Sequence, residues 1–339
     1  MADRLKVGII GIGRIGRIHA GNIARFVGGA ELAGVADLFL NPEGEALAKS
    51  LGAAKVGKNP QDLLDDPSIG AIVICSSTDT HADYVIAAAR AGKHIFCEKP
   101  IDLSVPKVKA ALEAVKKAGV QLQVGFNRRF DHNFKQVRDL TLAGEIGQVH
   151  LVKITSRDPA PPPPAYVAVS GGIFIDMMIH DFDMARFQAG SEVTEVYAAG
   201  SVLVDPEIGK AGDVDTAIVS LKFANGAIGV IDNSRKAVYG YDQRVEVFGS
   251  KGAALAQNDT PSTTVLYNEK GVTGDKPLYF FLERYKQAFI DEMESFVDAV
   301  THNKQVPVTG NDGLEDLYVA LAATKSLKEG RPVKLEEFR

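Results

Sequence analysis

Apolar positions in the first 125 or so residues fall in short unbroken runs that alternate with amphipathic stretches. Residues 6–10, 32–36, 69–75, 94–97 and 120–125 are five such runs, each predicted to be a strand buried on both faces. Between them, residues 15–26 and 81–91 read as helices. Val105, Val108, Ala111, Leu112, Val115 and Ala118 recur at three- and four-residue steps, the signature of a helix with one buried face. Strands that are apolar on both sides need helices on both sides, so the pattern predicts an α/β fold with a doubly wound parallel sheet.

The rhythm changes after Arg128. Residues 148–157 read as a strand and 174–187 as a helix. From residue 193 to about 266 come long strand-like runs separated by turn signals such as Asn225-Gly226 and Ser250-Lys251-Gly252. Helical patterns return at 282–300 and 311–328. The expectation is a second, α+β domain, with a division into residues 1–125 and 126–339.

Composition sharpens this picture. A chain of 339 residues with 45% hydrophobic and 24% charged positions suits two globular domains. A net charge of −5 argues against nucleic acid or an anionic membrane as the main partner, since both need a basic face. Cys75 and Cys97 lie in apolar runs and read as core residues, not as a disulfide framework. No cluster has metal-ligand spacing, and no metal is expected. The apolar stretch at 7–10 is too short for a signal segment or a membrane span, which makes the cytoplasm the expected location.

The first strand runs into Gly11-x-Gly13-x-x-Gly16 and then a helix, the arrangement that binds a dinucleotide. Gly11 permits the tight turn, Gly13 lets backbone N–H groups approach a pyrophosphate, and Gly16 lets helix and strand pack closely. The helix N-terminus, at Arg14 and Ile15, supplies partial positive charge. Asp37 ends the second strand about twenty residues on. Its carboxylate suits the ribose hydroxyls of NAD and would repel a 2′-phosphate. Leu38-Phe39-Leu40 offers no cation, so NAD is expected over NADP.

Two further segments carry chemistry. Glu98-Lys99-Pro100 follows the fourth strand at the carboxyl edge of the sheet, where a lysine can stabilise a developing alkoxide. Asp176 and His180, if helical, lie one turn apart on a shared face. A neutral imidazole beside a carboxylate can take a hydroxyl proton, so oxidation should be faster above neutral pH.

The glycine motif, Glu98-Lys99-Pro100 and Asp176-x-x-x-His180, in this order and spacing, resemble the Gfo/Idh/MocA oxidoreductase family over essentially the whole chain. The resemblance implies an N-terminal Rossmann domain and a C-terminal domain with a large open, mostly antiparallel sheet that forms the interface of a homo-oligomer, expected to be a tetramer. It implies that Lys99, Asp176 and His180 meet nicotinamide and substrate, and that Glu98 and Lys99 belong to the cofactor site. It also places Ser76, Ser77, Thr78 and His81 beside the ribose and nicotinamide, where a hydroxyl-rich turn is equally ordinary helix capping.

The second domain looks most like that of the inositol-oxidising members. Gly125-Phe126-Asn127-Arg128 resembles a segment that brings an arginine, here Arg128, to a polyol. Ser156-Arg157-Asp158 resembles one that brings a polar side chain, here Asp158 where some members have Asn. Tyr239 and Tyr285 lie in segments that resemble those bringing tyrosines to the ring. The implied activity is oxidation of myo-inositol by NAD to 2-keto-myo-inositol. Another cyclic polyol or sugar is the alternative, and a non-catalytic sensor is a distant one. A sensor has no need of Lys99, Asp176 and His180 together.

Overall fold

The computed structural model describes residues 4–339. The chain folds into two compact units. One runs to Asn127 and takes in Gln287–Leu317; the other comprises Arg128–Lys286 and Tyr318–Arg339.

The first unit holds a six-stranded sheet of β1 (Leu5–Ile10), β2 (Ala30–Ala36), β3 (Lys55–Gly57), β4 (Ala71–Ile74), β5 (His94–Glu98) and β6 (Leu122–Gly125), in the order β3-β2-β1-β4-β5-β6. Every pairing is parallel. The five expected strands are all present, their ends shifted by a few residues. The sixth, β3, is a three-residue edge strand, too short and too exposed to leave an apolar run. A helix at Pro42–Ser50 was also not foreseen, although Asn41 caps it by accepting from Gly44 N and Pro42 begins it. Val7, Ile9, Val35, Val73 and Phe96 form a buried core with Met293, Phe296 and Val297 from the helix Lys286–Thr301.

The second unit holds a seven-stranded sheet of β7 (Val149–Arg157), β8 (Val193–Ser201), β9 (Thr216–Phe223), β10 (Ile228–Ser234), β11 (Asp242–Gly249) and β12 (Gly252–Ala256), closed at one edge by a two-residue strand at Val333–Lys334. Its order is β12-β11-β7-β10-β9-β8 and then that edge strand. All pairs are antiparallel except β7 with β10. Along β9 the buried and exposed positions alternate strictly, as one packed and one open face require. Residues 265 and 266, expected to continue the large sheet, belong instead to a separate exposed hairpin, β13 (Val265–Asn268) with β14 (Gly271–Gly274).

The expected helix at 174–187 is two pieces. A π-helical turn, Ile173–Met177, leads into the α-helix Ile179–Ala189. Met178 N donates to Ile173 O at 2.8 Å, the five-residue spacing of a π turn. Gly171 and Gly172, both at positive φ, bring the chain in, and Asp213 Oδ1 accepts from Ile173 N. Asp176 therefore lies on the π turn and His180 on the α-helix that follows it, not one turn apart on a single α-helix. The pattern at 282–300 likewise divides, into Phe281–Arg284 and Lys286–Thr301.

Candidate active site

In the first unit the three motif glycines answer three different demands. Gly11 has φ +94°, and a Cβ there would lie 2.6 Å from the backbone of Cys75 and Ser76. A Cβ on Gly16 would lie 2.0 Å from Gly11 O, so the helix Arg14–Arg25 could not approach β1. Gly13 meets nothing within 4 Å and caps that helix without a side chain. No internal contact requires glycine there. The open backbone and uncapped helix end fit a pyrophosphate, and so fit NAD.

Asp37 is tied to this loop. Its Oδ2 accepts from Ile12 N at 2.7 Å and its Oδ1 from Phe39 N at 2.8 Å. Leu38 and Phe39 beside it are exposed. Arg17, which the sequence reading passed over, donates through Nε to Ile12 O and pairs with Glu43. Arg14, at the helix start, is exposed.

Beyond β4, Ser77 caps the helix Thr78–Arg90 without a side-chain bond. Thr80 Oγ1 donates to Ser77 O and lies 2.7 Å from Ser76 Oγ. His81 is buried, with Nδ1 2.8 Å from Pro100 O and Nε2 3.0 Å from Ser76 O. Its two nitrogens thus link the turn after β4 to the turn after β5. There the Lys99–Pro100 bond is cis, and Lys99 is half-buried at the end of the strand. Glu98, the last residue of β5, meets His19 at 2.7 Å.

The second unit gathers the other half of the expected set around a buried ionic network. Arg128 is only 4% exposed. It pairs with Asp181 at 2.5 Å, and Asp181 also accepts from Asn233 at 2.9 Å. Ser156 Oγ lies 3.4 Å from Arg128 Nη2 and donates to Gln243 Oε1 at 3.0 Å. The Tyr241 hydroxyl lies 3.5 Å from Arg128, and the Tyr285 ring faces its guanidinium. Burial opposes the charge of Arg128, but Tyr285, Asp181 and Tyr241 outweigh it and hold the guanidinium ionised. Removing one partner from such a buried pair costs on the order of 3–5 kcal/mol, because the other charge is stranded.

Asp176 accepts from the Tyr166 hydroxyl at 2.9 Å and from Arg235 at 3.2 Å, with Arg235 almost fully buried. Arg235 also faces Asp213 at 3.6 Å. His180 is half-buried. Asp158 accepts from Ala237 N through its carbonyl. Burial raises its carboxyl to about 7, against the pull of Arg235 and Arg128 and with the push of Asp176 and Asp181. Burial likewise raises Tyr285 to about 12, opposed by Arg128 and Arg284.

The two expected tyrosines part company. Tyr285 is buried against Tyr241, Phe134 and Arg128. Tyr239 donates to Asp242 at 2.6 Å and accepts from Arg157, so it sits in a separate, more exposed network. The sequence reading missed Asp181, Asn233, Gln243 and Arg235. Polar residues at inward-facing strand positions were the available signal for Asn233 and Gln243, Arg235 lies just past the end of β10, and Tyr241 stood within a segment already singled out. Among the described residues no helix is long and apolar enough to cross a membrane.

Comparison with known proteins places this arrangement. Residues 5–126 match the model of an oxidoreductase family with an NAD-binding Rossmann fold, and residues 134–255 match the GFO/IDH/MocA C-terminal domain. The chain is 53% identical to the myo-inositol 2-dehydrogenase of Thermotoga maritima over 98% of this chain and 99% of the relative. It is 46% identical to the inositol 2-dehydrogenase of Rhizobium meliloti over 98% and 99%. The solved scyllo-inositol dehydrogenase of Lactobacillus casei with bound NAD(H) and scyllo-inositol superposes with a TM-score of 0.91 at 32% identity, covering 98% of this chain and 100% of that one.

Proposed function

Because this chain belongs to the GFO/IDH/MocA family of NAD-binding oxidoreductases, we propose that it oxidises myo-inositol at one secondary alcohol to 2-keto-myo-inositol, with NAD as the oxidant. The observation that carries the choice of substrate is the agreement of two relatives, at 53% and 46% identity over nearly the full length, on an inositol 2-dehydrogenase activity. The second unit supports it chemically. Asp158, Asp176 and His180 supply acceptors and donors in a setting made polar by buried charge, as a ring with a hydroxyl on every carbon requires.

Lys99 polarises the reacting oxygen and stabilises alkoxide character. His180 takes the hydroxyl proton, and Asp176, fixed by Tyr166 and Arg235, sets the field around it. Asp158, with Arg128 and Tyr285 behind it, reads further hydroxyls. Bound NAD supplies the hydride acceptor. Gly11, Gly13, Gly16, the helix start at Arg14 and Ile15, and Asp37 would hold its pyrophosphate and ribose, with Ser76, Ser77 and Thr78 beside the turn after β4.

A scyllo-inositol dehydrogenase from Bacillus subtilis is 39% identical over the whole chain, so the stereoisomer needs direct measurement. The test is initial NADH formation from myo-inositol, scyllo-inositol and aldoses at equal concentration. Myo-inositol should give the highest kcat/KM. A higher value for scyllo-inositol or an aldose overturns the substrate assignment.

We also place the protein in the cytoplasm as a homotetramer that buries the open face of the seven-stranded sheet. Tyr197, Ile218, Ile228, Phe248 and Leu255 are exposed on β8 to β12, and the strand register puts Ile218, Ile228, Phe248 and Leu255 on one face. Apolar residues spread across such a face mark an interaction surface.

A further inference from the structure

Around Glu98 lies a buried cluster, two of whose members, His19 and Glu292, have no part in the mechanism above. His19, from the helix Arg14–Arg25, and Glu292, from the helix Lys286–Thr301, are both fully buried. His19 Nε2 is 2.7 Å from Glu98 Oε1 and 4.0 Å from Glu292 Oε1. One nitrogen or oxygen atom from each of the three residues lies within 4.8 Å of the others. Phe96 and Phe289 wall the imidazole at 5.0 and 5.9 Å between ring centres. Gly125 stands 3.0 Å from the Glu98 carboxyl, measured from where its Cβ would be, so a larger residue would crowd that carboxyl.

Two carboxylates this close in an apolar pocket cannot both carry charge at modest cost. Glu98 has the imidazole at hydrogen-bond distance. Neither oxygen of Glu292 has a hydrogen-bond partner among the described residues. The titratable groups around Glu292 are His19, Glu98 and the Cys75 thiol, none of which is a fixed cation. Burial and Glu98 both push the Glu292 carboxyl well above the usual range. A bound metal would be the other way to settle such a set. Ligands about 2.1 Å from a tetrahedral ion stand roughly 3.4 Å apart, however, and His19 and Glu98 are closer than that.

We propose that His19, Glu98 and Glu292 form a buried proton-holding triad in which Glu292 is a neutral carboxylic acid, and that the triad positions Lys99. The second half rests on the role given to Lys99 above. Glu98 immediately precedes that lysine, so holding its side chain on His19, beside a Glu292 that carries no competing charge, fixes the backbone from which Lys99 projects. His19 and Glu292 are positioning residues that touch neither substrate nor cofactor.

The experiment compares the purified full-length enzyme with Glu292→Gln, Glu292→Met and Lys99→Met. It reads thermal unfolding from pH 5 to pH 8.5, the infrared band of protonated carboxyls, metal content, NADH affinity by fluorescence, and the split between kcat and KM. A neutral buried acid has a raised folded pKa, so its contribution is fully present below the ordinary glutamate pKa and is lost as pH rises above it. Glu292→Gln, always neutral, should therefore gain on the parent in Tm as pH rises. It should lose a protonated-carboxyl band and keep kcat within about threefold. Glu292→Met, which replaces the polar end with an apolar thioether of different shape against the His19–Glu98 pair, should lower kcat between about tenfold and a hundredfold with NADH affinity intact, as misplacement of a reacting group does.

A Glu292→Gln that falls behind the parent as pH rises, or lacks no infrared band, shows an ionised Glu292 and overturns the proposal. So does stoichiometric metal lost with either Glu292 variant. If Lys99→Met lowers kcat but Glu292→Met does not, the positioning claim falls. If Lys99→Met itself leaves kcat unchanged, the role of Lys99 is overturned, while the unfolding data still decide the protonation of Glu292.

Discussion

At the scale of single residues, charge and protonation do the chemistry. In the proposed mechanism Lys99 puts a positive charge at the reacting oxygen, an interaction that strengthens as the C–H bond breaks, so its loss should appear in turnover. Lys99→Met keeps the length and removes the charge. We expect kcat for myo-inositol to fall on the order of a hundredfold to a thousandfold, with NADH affinity retained. Turnover within about threefold of the parent would remove Lys99 from the reaction. Asp158 makes a different prediction. Its carboxyl is held up to about 7, chiefly by burial. The folded state therefore keeps a proton that the unfolded state has lost, and stability falls as pH climbs from about 4 to about 7 before levelling off. Asp158→Asn has no such proton to lose. Its Tm should improve relative to the parent by on the order of 5 °C between pH 5 and pH 8. A constant difference across that range would show an ordinary carboxylate.

At the scale of elements, the cofactor half depends on the end of β2 meeting the turn after β1. Asp37 accepts from Ile12 N inside the glycine loop, so the carboxylate proposed to meet the ribose also orders the loop. Asp37→Ser with Leu38→Arg removes the negative charge and adds a cation at an exposed position. The ratio of kcat/KM for NADP over NAD should rise by at least about tenfold, and absolute activity with NAD should fall as the loop loses its anchor. An unchanged ratio would show that the charge at Asp37 does not set the preference. In the second unit the π turn at Ile173–Met177 and the α-helix after it place Asp176 and His180 on separate pieces. Asp181, one residue beyond His180, points into the buried network with Arg128. A helical pattern alone could not reveal that division, because it comes from two successive positive-φ glycines and the Asp213 contact.

At the scale of the whole molecule, the open sheet face predicts assembly. Ile218 and Phe248 are exposed apolar residues on β9 and β11. The parent should sediment as a tetramer at micromolar concentration. Ile218→Asp combined with Phe248→Asp should yield smaller species, since charges facing an apolar interface are costly to bury. A monomeric parent would refute this use of the face.

The division of labour between sequence and fold follows from the range of the interactions. Apolar runs, the Gly11-x-Gly13-x-x-Gly16 turn and Asp37 express local rules: strand and helix periods, a positive φ, a carboxylate after a strand. They made the parallel sheet, its covering helices and the dinucleotide loop legible from the chain alone. Lys99, Asp176 and His180 were legible as a motif, without their partners. Which arginine joins which carboxylate was settled by tertiary structure. Arg128 with Asp181, Arg235 with Asp176, and His19 with Glu98 and Glu292 pair residues from 53 to 273 positions apart, across elements that meet only once packed. Burial then pushed the Asp158 and Glu292 carboxyls above the usual range, because desolvation depends on everything packed around a side chain.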